Sequence, residues 1–251
     1  MSGDRVTFFG DSMAAVVRGV DEVARLIGHR PVIIGGLAVL CRLSTPHRAT
    51  VDLDVVDRRS DGVPHLEVLR SVQGAKPVEP AAVILPTPYG EVKVDVLEVR
   101  QAELDQPSAD PGDRLHASAH AWASDTASAL TISVRRPNGE EVEAAAPVAE
   151  PGPLVAMKLQ AVMDRSARKQ GTDLLDIVRL MLDARARPRA LEQIGAVDPQ
   201  IAADIDAHVD HWFDTRRTSS HALVRAAGGG DISRDDMEVV AELIHEVCRR
   251  G

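Results

Sequence analysis

The arrangement of apolar residues changes once along this 251-residue chain, and that change limits the folds that it can adopt. Up to about residue 147, short β-branched runs such as residues 32–34 alternate with helical periodicity, which indicates strands between helices. After the Pro- and Gly-rich stretch 147–153 the periodicity is helical only. We therefore predict an α+β fold with a mixed-sheet domain over residues 1–147 and a helical C-terminal domain over residues 148–251.

The same periodicities predict the single elements. An Asn-Gly pair at residues 138 and 139 between two extended runs is typical of a hairpin. Residues 101–115 are polar, contain two prolines and show no clear period, so we predict a loop there. The predicted helices are 12–28, 37–43, 63–73, 154–168, 173–186, 198–211 and 235–249, and the predicted strands are 32–34, 50–56, 82–85, 91–99, 130–134 and 141–145.

Charge and hydropathy exclude some classes of protein. The formal net charge of -9 argues against general electrostatic binding to nucleic acid. No stretch is long and apolar enough to span a membrane, and residues 1–5 do not begin a secretory signal, so we expect a cytoplasmic protein. Cys41 and Cys248 are far apart and are expected to be reduced thiols, Cys41 in the core.

Seven basic residues are concentrated between residues 165 and 189, within this acidic chain. Such a concentration is most often a solvated helix face interleaved with acidic residues. It could also follow an RNA backbone beside a catalytic site. The seven residues are Arg165, Arg168, Lys169, Arg179, Arg185, Arg187 and Arg189.

Two aspartates stand two residues apart in a predicted strand. Asp52 and Asp54 should therefore project from one face, while Val51, Leu53 and Val55 pack inward. Two carboxylates on one face suit a hard divalent cation with oxygen ligands, and they repel each other without one.

A glycine pair precedes these aspartates. Gly35-Gly36 follows a predicted strand and precedes a predicted helix, so backbone N–H groups could approach a phosphate without obstruction by side chains. The Gly-x-Gly-x-x-Gly pattern of dinucleotide sites and the Lys-Ser/Thr of a P-loop are both absent.

A third carboxylate is expected from the strand at 91–99. Asp95 is our choice, with Glu91 and Glu98 as weaker candidates. Three carboxylates around two Mg²⁺ ions would align a triphosphate, activate an acceptor hydroxyl and neutralise the leaving pyrophosphate. His116 and His120 have the i,i+4 spacing of zinc ligands, but no further ligand follows, so we expect a surface pair.

The order Gly35-Gly36, Asp52-x-Asp54 and a later strand aspartate resembles the DNA polymerase β-like nucleotidyltransferase superfamily. Residues 48–54, Arg-Ala-Thr-Val-Asp-Leu-Asp, are similar to the Arg-x-Thr-x-Asp-x-Asp stretch of its AbiEii/MenT-like toxin branch. The segment from Lys158 to Arg165 is similar to a Lys-x-x-Ala-x-x-x-Arg helix of that branch. Gly36 departs from the pattern, because many relatives carry Ser there.

This resemblance implies a nucleotidyltransferase domain whose active-site cleft the helical domain completes. Catalytic roles would belong to Asp52, Asp54, Asp95 and Lys158, with the three aspartates holding Mg²⁺. Asp173 or Asp176, between which the sequence does not decide, would orient the acceptor or a basic group. The implied nucleotide-binding residues are Gly35, Gly36, Arg48, Thr50, Arg165, Asp173 and Asp176.

The resemblance also implies partners. The substrate would be a nucleoside triphosphate, the acceptor the 3′ end of tRNA, and the setting a toxin–antitoxin system with a cognate antitoxin protein. Two alternatives stay open. An aminoglycoside- or lincosamide-type nucleotidyltransferase would modify an antibiotic hydroxyl, and its acidic cleft would fit the net charge. A non-catalytic relative would bind the nucleotide without transferring it.

Overall fold

The computed structural model describes residues 4–59 and 62–250, with the backbone only at Arg59. Residues 1–3, on which the expectation about a secretory signal partly rests, lie outside the described residues. The described chain forms two compact units. The first contains residues up to 41, Thr45–Gln101 and Ala123–Ala149, and the second contains Arg42–Ser44, Ala102–Trp122 and the residues from 150 onward.

A mixed sheet forms the first unit. Its eight described strands lie in the order β1-β7-β8-β2-β3-β6-β5-β4. Three neighbouring pairs of these strands are parallel (β1 with β7, β8 with β2, β3 with β6), and the other four are antiparallel. The strands are β1 Arg5–Phe9, β2 Val32–Ile34, β3 Asp52–Arg59, β4 Lys76–Glu79, β5 Ala82–Thr87, β6 Gly90–Arg100, β7 Ser128–Arg135 and β8 Glu141–Val148.

Helix α1 (Asp11–Ile27) covers one face of this sheet. A β-carbon on Gly19 of α1 would lie 3.0 Å from Val92 and 3.6 Å from Leu53, so the helix packs closely on β3 and β6. The helix ends at Gly28, whose φ of 85° is left-handed and whose N–H donates to Ala24. Two shorter helices belong to the same part of the chain, α2 Gly35–Arg42 and α3 His65–Arg70.

Helices make up the second unit. A capping box at Ser233 and Asp236 begins the last helix, and a π-helical segment, Asp210–Thr215, interrupts the chain before α10. The π-helical segment buries Trp212 and Phe213. The helices are α4 Gln101–Asp105, α5 Pro111–Thr126, which begins in this unit, α6 Pro151–Asp164, α7 Ala167–Leu182, α8 Ala186–Ile194, α9 Pro199–Val209, α10 Arg217–Ala226 and α11 Arg234–Cys248.

The structure confirms the α+β class but corrects the predicted loop at 101–115. That segment forms α4 and the start of α5, and α5 buries Leu115 and Ala119 at helical spacing. Pro111 is compatible because it stands at the first helical residue, where no N–H is needed. In the Pro- and Gly-rich stretch, only residues 149 and 150 separate β8 from α6.

The division of the chain at residue 147 stays a prediction. In the compact units, residues 102–122 belong with the later helices. No helix in the described part of the chain has the length and apolarity that crossing a bilayer requires.

Candidate active site

Asp54 lies directly against the backbone of Gly35. Gly35 directly follows β2 and begins α2 with a φ of 64°, which is left-handed backbone. A β-carbon at this position would stand 2.1 Å from Oδ2 of Asp54, so only glycine leaves room for the carboxylate. The Asp54 carboxylate thus lies at the N-terminus of α2, where the helix dipole favours negative charge.

Gly36 is covered in the same way by a cation and a hydroxyl. A β-carbon on Gly36 would lie 2.9 Å from Nη2 of Arg48 and 3.2 Å from Oγ1 of Thr50. The Thr50 hydroxyl donates to the carbonyl of Asp52 at 3.3 Å, which fixes it at the start of β3. Both glycines therefore make room for side chains of this chain itself, a role that the sequence analysis had not assigned to them.

Strands β3 and β6 bring the aspartates together. Their parallel register pairs Asp54 with Asp95 and Asp52 with Lys93. All four side chains are half-buried and share the sheet face opposite α1, because the alternate residues Leu53 and Val94 are buried. Val51 precedes the strand and is 64% exposed, so the expectation that it packs inward is wrong.

Lys93 binds the third aspartate. Its Nζ lies 3.2 Å from Oδ1 of Asp95 and 3.1 Å from Oε2 of Glu79. Burial raises the pKa of Asp95 above its usual range and the charge of Asp52 adds to this, although Lys93 lowers it. Burial alone would lower the pKa of Lys93, but its contacts with Glu79 and Asp95 raise it overall. Strand alternation alone could have identified Lys93, since it shares the Asp95 face.

The donor chemistry of this face fits magnesium. Asp52, Asp54 and Asp95 supply the oxygen ligands that a hard divalent cation takes. Across the described residues, however, no three or more His, Cys, Asp or Glu side chains are arranged as a formed metal centre. The weaker candidates lie in other ion pairs: Glu91 contacts Lys76, and Glu98 lies 2.5 Å from Arg100.

The candidate residues of the second unit contact one another. Lys158 of α6 lies 2.6 Å from Asp173 and 3.0 Å from Asp176, both on α7. Arg165 binds the other oxygen of Asp173 at 2.9 Å. Burial alone would lower the pKa of Lys158, but Asp176 and Asp173 raise it overall, so the ammonium stays charged.

This cluster has the character of a buried structural network. The side chains of Lys158, Asp173 and Asp176 are 8%, 1% and 0% exposed. Such a network is stable only when each charge has its partner. Both aspartates contact Lys158, so the choice between Asp173 and Asp176 as the residue that orients the acceptor or a basic group stays open. Arg165, at 41% exposed, is the accessible residue of the cluster.

The histidine pair on α5 differs from the expected surface pair. His120 is 3% exposed, and its Nδ1 lies 2.6 Å from the carbonyl of His116. Burial lowers its pKa to about 3, with a further contribution from His116. His116 borders a cavity of about 480 Å³ within the second unit that sequence analysis missed, because part of its lining was predicted as loop. The lining is Glu103, Gln106, Ser108, Asp113, His116, Ala117, Gln160 and Asp164.

Three residues of the basic segment, Arg165, Arg179 and Arg189, form ion pairs within their own unit. Arg179 binds Asp231 at 2.6 Å, and Arg189 contacts Glu150, which also binds Arg42 at 3.1 Å. Arg168 and Lys169 are exposed at the start of α7. The pair of Arg179 with Asp231 is of the kind common on a helix surface, whereas Glu150 is buried, at 1% exposed.

Comparison with known proteins identifies no family for this chain. No family model matches it, and no curated protein does. Solved structures that it resembles include an antigenic nucleotidyltransferase-like protein from Paracoccidioides brasiliensis, at 20% sequence identity and a TM-score of 0.38. That alignment covers 80% of this chain and 94% of the other. A TM-score below 0.5 supports no conclusion about function.

Proposed function

We propose that this protein is a nucleotidyltransferase, which moves a nucleoside monophosphate from a nucleoside triphosphate to an acceptor hydroxyl. One observation carries the proposal. Asp54 lies on Gly35 and faces Asp95, while Arg48 and Thr50 cover Gly36. The first unit thus combines a helix N-terminus, a guanidinium and several carboxylates that share one face of the sheet.

The chemistry is an in-line displacement at the α-phosphorus. The acceptor oxygen forms a bond to phosphorus, and the bond from phosphorus to the oxygen bridging to the β-phosphorus breaks. Pyrophosphate leaves with that oxygen. Asp95 takes the proton of the acceptor hydroxyl, a role that its raised pKa suits.

The other residues bind and orient the triphosphate. Arg48 holds phosphate oxygens and the N-terminus of α2 adds a favourable field, since a guanidinium and a helix N-terminus both favour anions. Magnesium between Asp52 and Asp54 would neutralise charge on the triphosphate and on the pyrophosphate. Lys158 takes no step here, because its ammonium is already bound by Asp173 and Asp176.

We propose the tRNA 3′ end as the acceptor and toxicity restrained by an antitoxin protein as the setting. Both rest on the resemblance of residues 48–54 to toxin nucleotidyltransferases. The acidic charge of the chain supports the antibiotic-modifying alternative, since aminoglycosides are cations.

The experiment supplies the four nucleoside triphosphates, each labelled at the α-phosphate, to the full chain with Mg²⁺ and total tRNA, and in parallel with aminoglycosides. We expect label on tRNA and release of pyrophosphate. Label on the antibiotic instead would identify the alternative acceptor. Triphosphate binding with no pyrophosphate released under any condition would contradict the enzyme and favour a binding protein.

Two variants test the site. Asp54→Asn removes a proposed ligand and should abolish transfer, a loss of roughly a thousandfold or more. Asp125→Asn makes the same change on an exposed aspartate of the same unit, 62% accessible, and should leave transfer unchanged. Equal activity of Asp54→Asn and the wild type would sink the proposal.

A further inference from the structure

Lys93 is the cation that lies among the aspartates of the candidate active site. It precedes Asp95 by two residues on β6 and therefore projects from the same face. It is also the register partner of Asp52 on β3. Its side chain is 21% exposed, so the ammonium is largely withdrawn from water.

Lys93 has two anchors rather than one. Its Nζ contacts Asp95 at 3.2 Å and, across β5, Glu79 on β4 at 3.1 Å. Glu79 and Asp95 are both partners of Ala82, so the three strands β4, β5 and β6 align these carboxylates in one row. Because two carboxylates bind the Lys93 ammonium, it would remain bound even if one of the two contacts were broken.

The position of the Lys93 ammonium favours one divalent ion at this face. Asp52 and Asp54 can hold a divalent cation, whereas Oδ1 of Asp95 already lies 3.2 Å from the Lys93 ammonium. A second cation would add positive charge next to the Lys93 ammonium, in a half-buried setting where like charges repel strongly.

We infer that the Lys93 ammonium, held between Asp95 and Glu79, takes the place of a second metal ion, so that this chain binds one divalent cation at Asp52 and Asp54. The inference rests on the proposed nucleotidyl transfer and revises the expectation of two ions. Lys93 is then a positioning residue, which keeps Asp95 oriented without a metal ion of its own.

Metal stoichiometry tests this inference without reference to activity. The chelator-treated full chain is titrated with Mn²⁺ alone, by calorimetry and by electron paramagnetic resonance of the unbound ion. We expect one Mn²⁺ per wild-type chain and two per Lys93→Met chain, because the third carboxylate then becomes available. Lys93→Arg keeps the charge and should bind one.

A matched control uses a lysine of the same sheet face. Lys76 lies on β4, is 61% exposed and pairs with Glu91, so Lys76→Met should bind one Mn²⁺ like the wild type. Two ions bound to the wild type, or one bound to a folded Lys93→Met chain, overturns the inference and leaves the proposed transfer intact. No Mn²⁺ bound to any chain at millimolar concentration overturns the metal-dependent transfer itself.

The wild-type count decides the matter even if a variant does not fold. Thermal unfolding of each chain identifies such a case, and Lys93→Gln, which retains a polar group toward Glu79, then replaces Lys93→Met. Its expected stoichiometry is also two.

Discussion

Gly35 is the residue on which the candidate site depends most directly, because its missing side chain makes room for Asp54. Gly35→Ala should therefore do two things. A left-handed backbone costs an alanine about 1–2 kcal/mol in the free energy of unfolding. The new β-carbon, 2.1 Å from Oδ2, should also displace the carboxylate and weaken Mn²⁺ binding by roughly tenfold or more.

Gly139 offers a matched control for that variant. Its φ of 85° is also left-handed, and a β-carbon there would meet nothing within 4 Å. Urea denaturation should show a similar loss of stability for Gly139→Ala, while Mn²⁺ titration should show no change. Unchanged Mn²⁺ affinity in Gly35→Ala would contradict the close contact with Asp54.

Lys158 is the residue for which structure and resemblance suggest different tests. Replacing it by methionine would remove the ammonium that both buried carboxylates contact, so we expect a loss of about 3–5 kcal/mol in the free energy of unfolding. Urea denaturation measures it. Lys169→Met changes an exposed lysine of the next helix and should stay within about 0.5 kcal/mol of the wild type.

A second substitution separates the structural role from a phosphate contact. In Lys158→Met/Asp176→Asn the negative charge of one carboxylate that the ammonium contacted is removed, so part of the lost stability should return. A single Lys158→Met chain that is as stable as the wild type would show that the ion network contributes little, and would favour the phosphate-binding role.

At the scale of elements, His245 connects α11 to two neighbours. Its Nε2 lies 2.8 Å from Asp214 of the π-helical segment, and its Nδ1 contacts Asp206 of α9. Burial alone would lower the pKa of His245, but these carboxylates raise it overall against the opposing charge of Arg249. The stabilisation is thus fully present below the unfolded pKa of about 6.5 and is lost as pH rises through the folded pKa.

His245→Gln should therefore cost about 1–2 kcal/mol at pH 6 and less at pH 9. Urea denaturation at both values measures this difference.

The pH dependence expected for His120 is the opposite, because its lowered pKa keeps it neutral in the folded state. The wild type should therefore lose stability as pH falls from about 6.5 toward 3, because the unfolded chain takes up a proton there and folded His120 does not. In His120→Gln this loss should be absent, while stability at higher pH should keep the same pH dependence. For His245, equal pH profiles of stability in the wild type and His245→Gln would refute the stabilising ion pairs with Asp206 and Asp214.

Sequence periodicity predicted the elements whose apolar spacing is strong. Helix 12–28 and strand 32–34 match α1 and β2 within a residue. It missed β1 and β4, because each lies at a sheet edge, and β4 is exposed along its whole length and lacks an apolar face. It also missed α8 and α10, which are short and bury few residues.

The candidate site was predictable only in part, and for a physical reason. Alternation within a strand is local, so it predicted the shared face of Asp52 with Asp54, and it also puts Lys93 on the face of Asp95. Register between β3 and β6 depends on packing of the whole sheet, and no local pattern reports it. The contacts of Gly36 with Arg48 and Thr50 depend on the loop before β3, which carries no periodicity.

At the scale of the whole molecule, the compact units are discontinuous in sequence. Residues 102–122 belong to the second unit although residues of the first precede and follow them. A fragment of residues 1–147 should therefore expose the buried face of α5, which includes Leu115 and Ala119. We expect that fragment to bind the dye ANS and to aggregate.

Replacing residues 102–122 by a short Gly/Ser linker should relieve both effects in the fragment 1–149. Dye fluorescence and size-exclusion chromatography compare the two fragments. If the fragment 1–147 stays monomeric and binds no more dye than the linker version, α5 does not need the later helices.

The pairing of β1 has a consequence for the order of events during biosynthesis. Arg5 pairs with Thr131, so 126 residues must be added before the first strand meets its partner. At the usual speed of a ribosome that interval is roughly 6 to 25 seconds. During that interval the backbone N–H and C=O groups of β1 have no strand partner. A chaperone that binds extended segments could bind β1 as the chain leaves the ribosome.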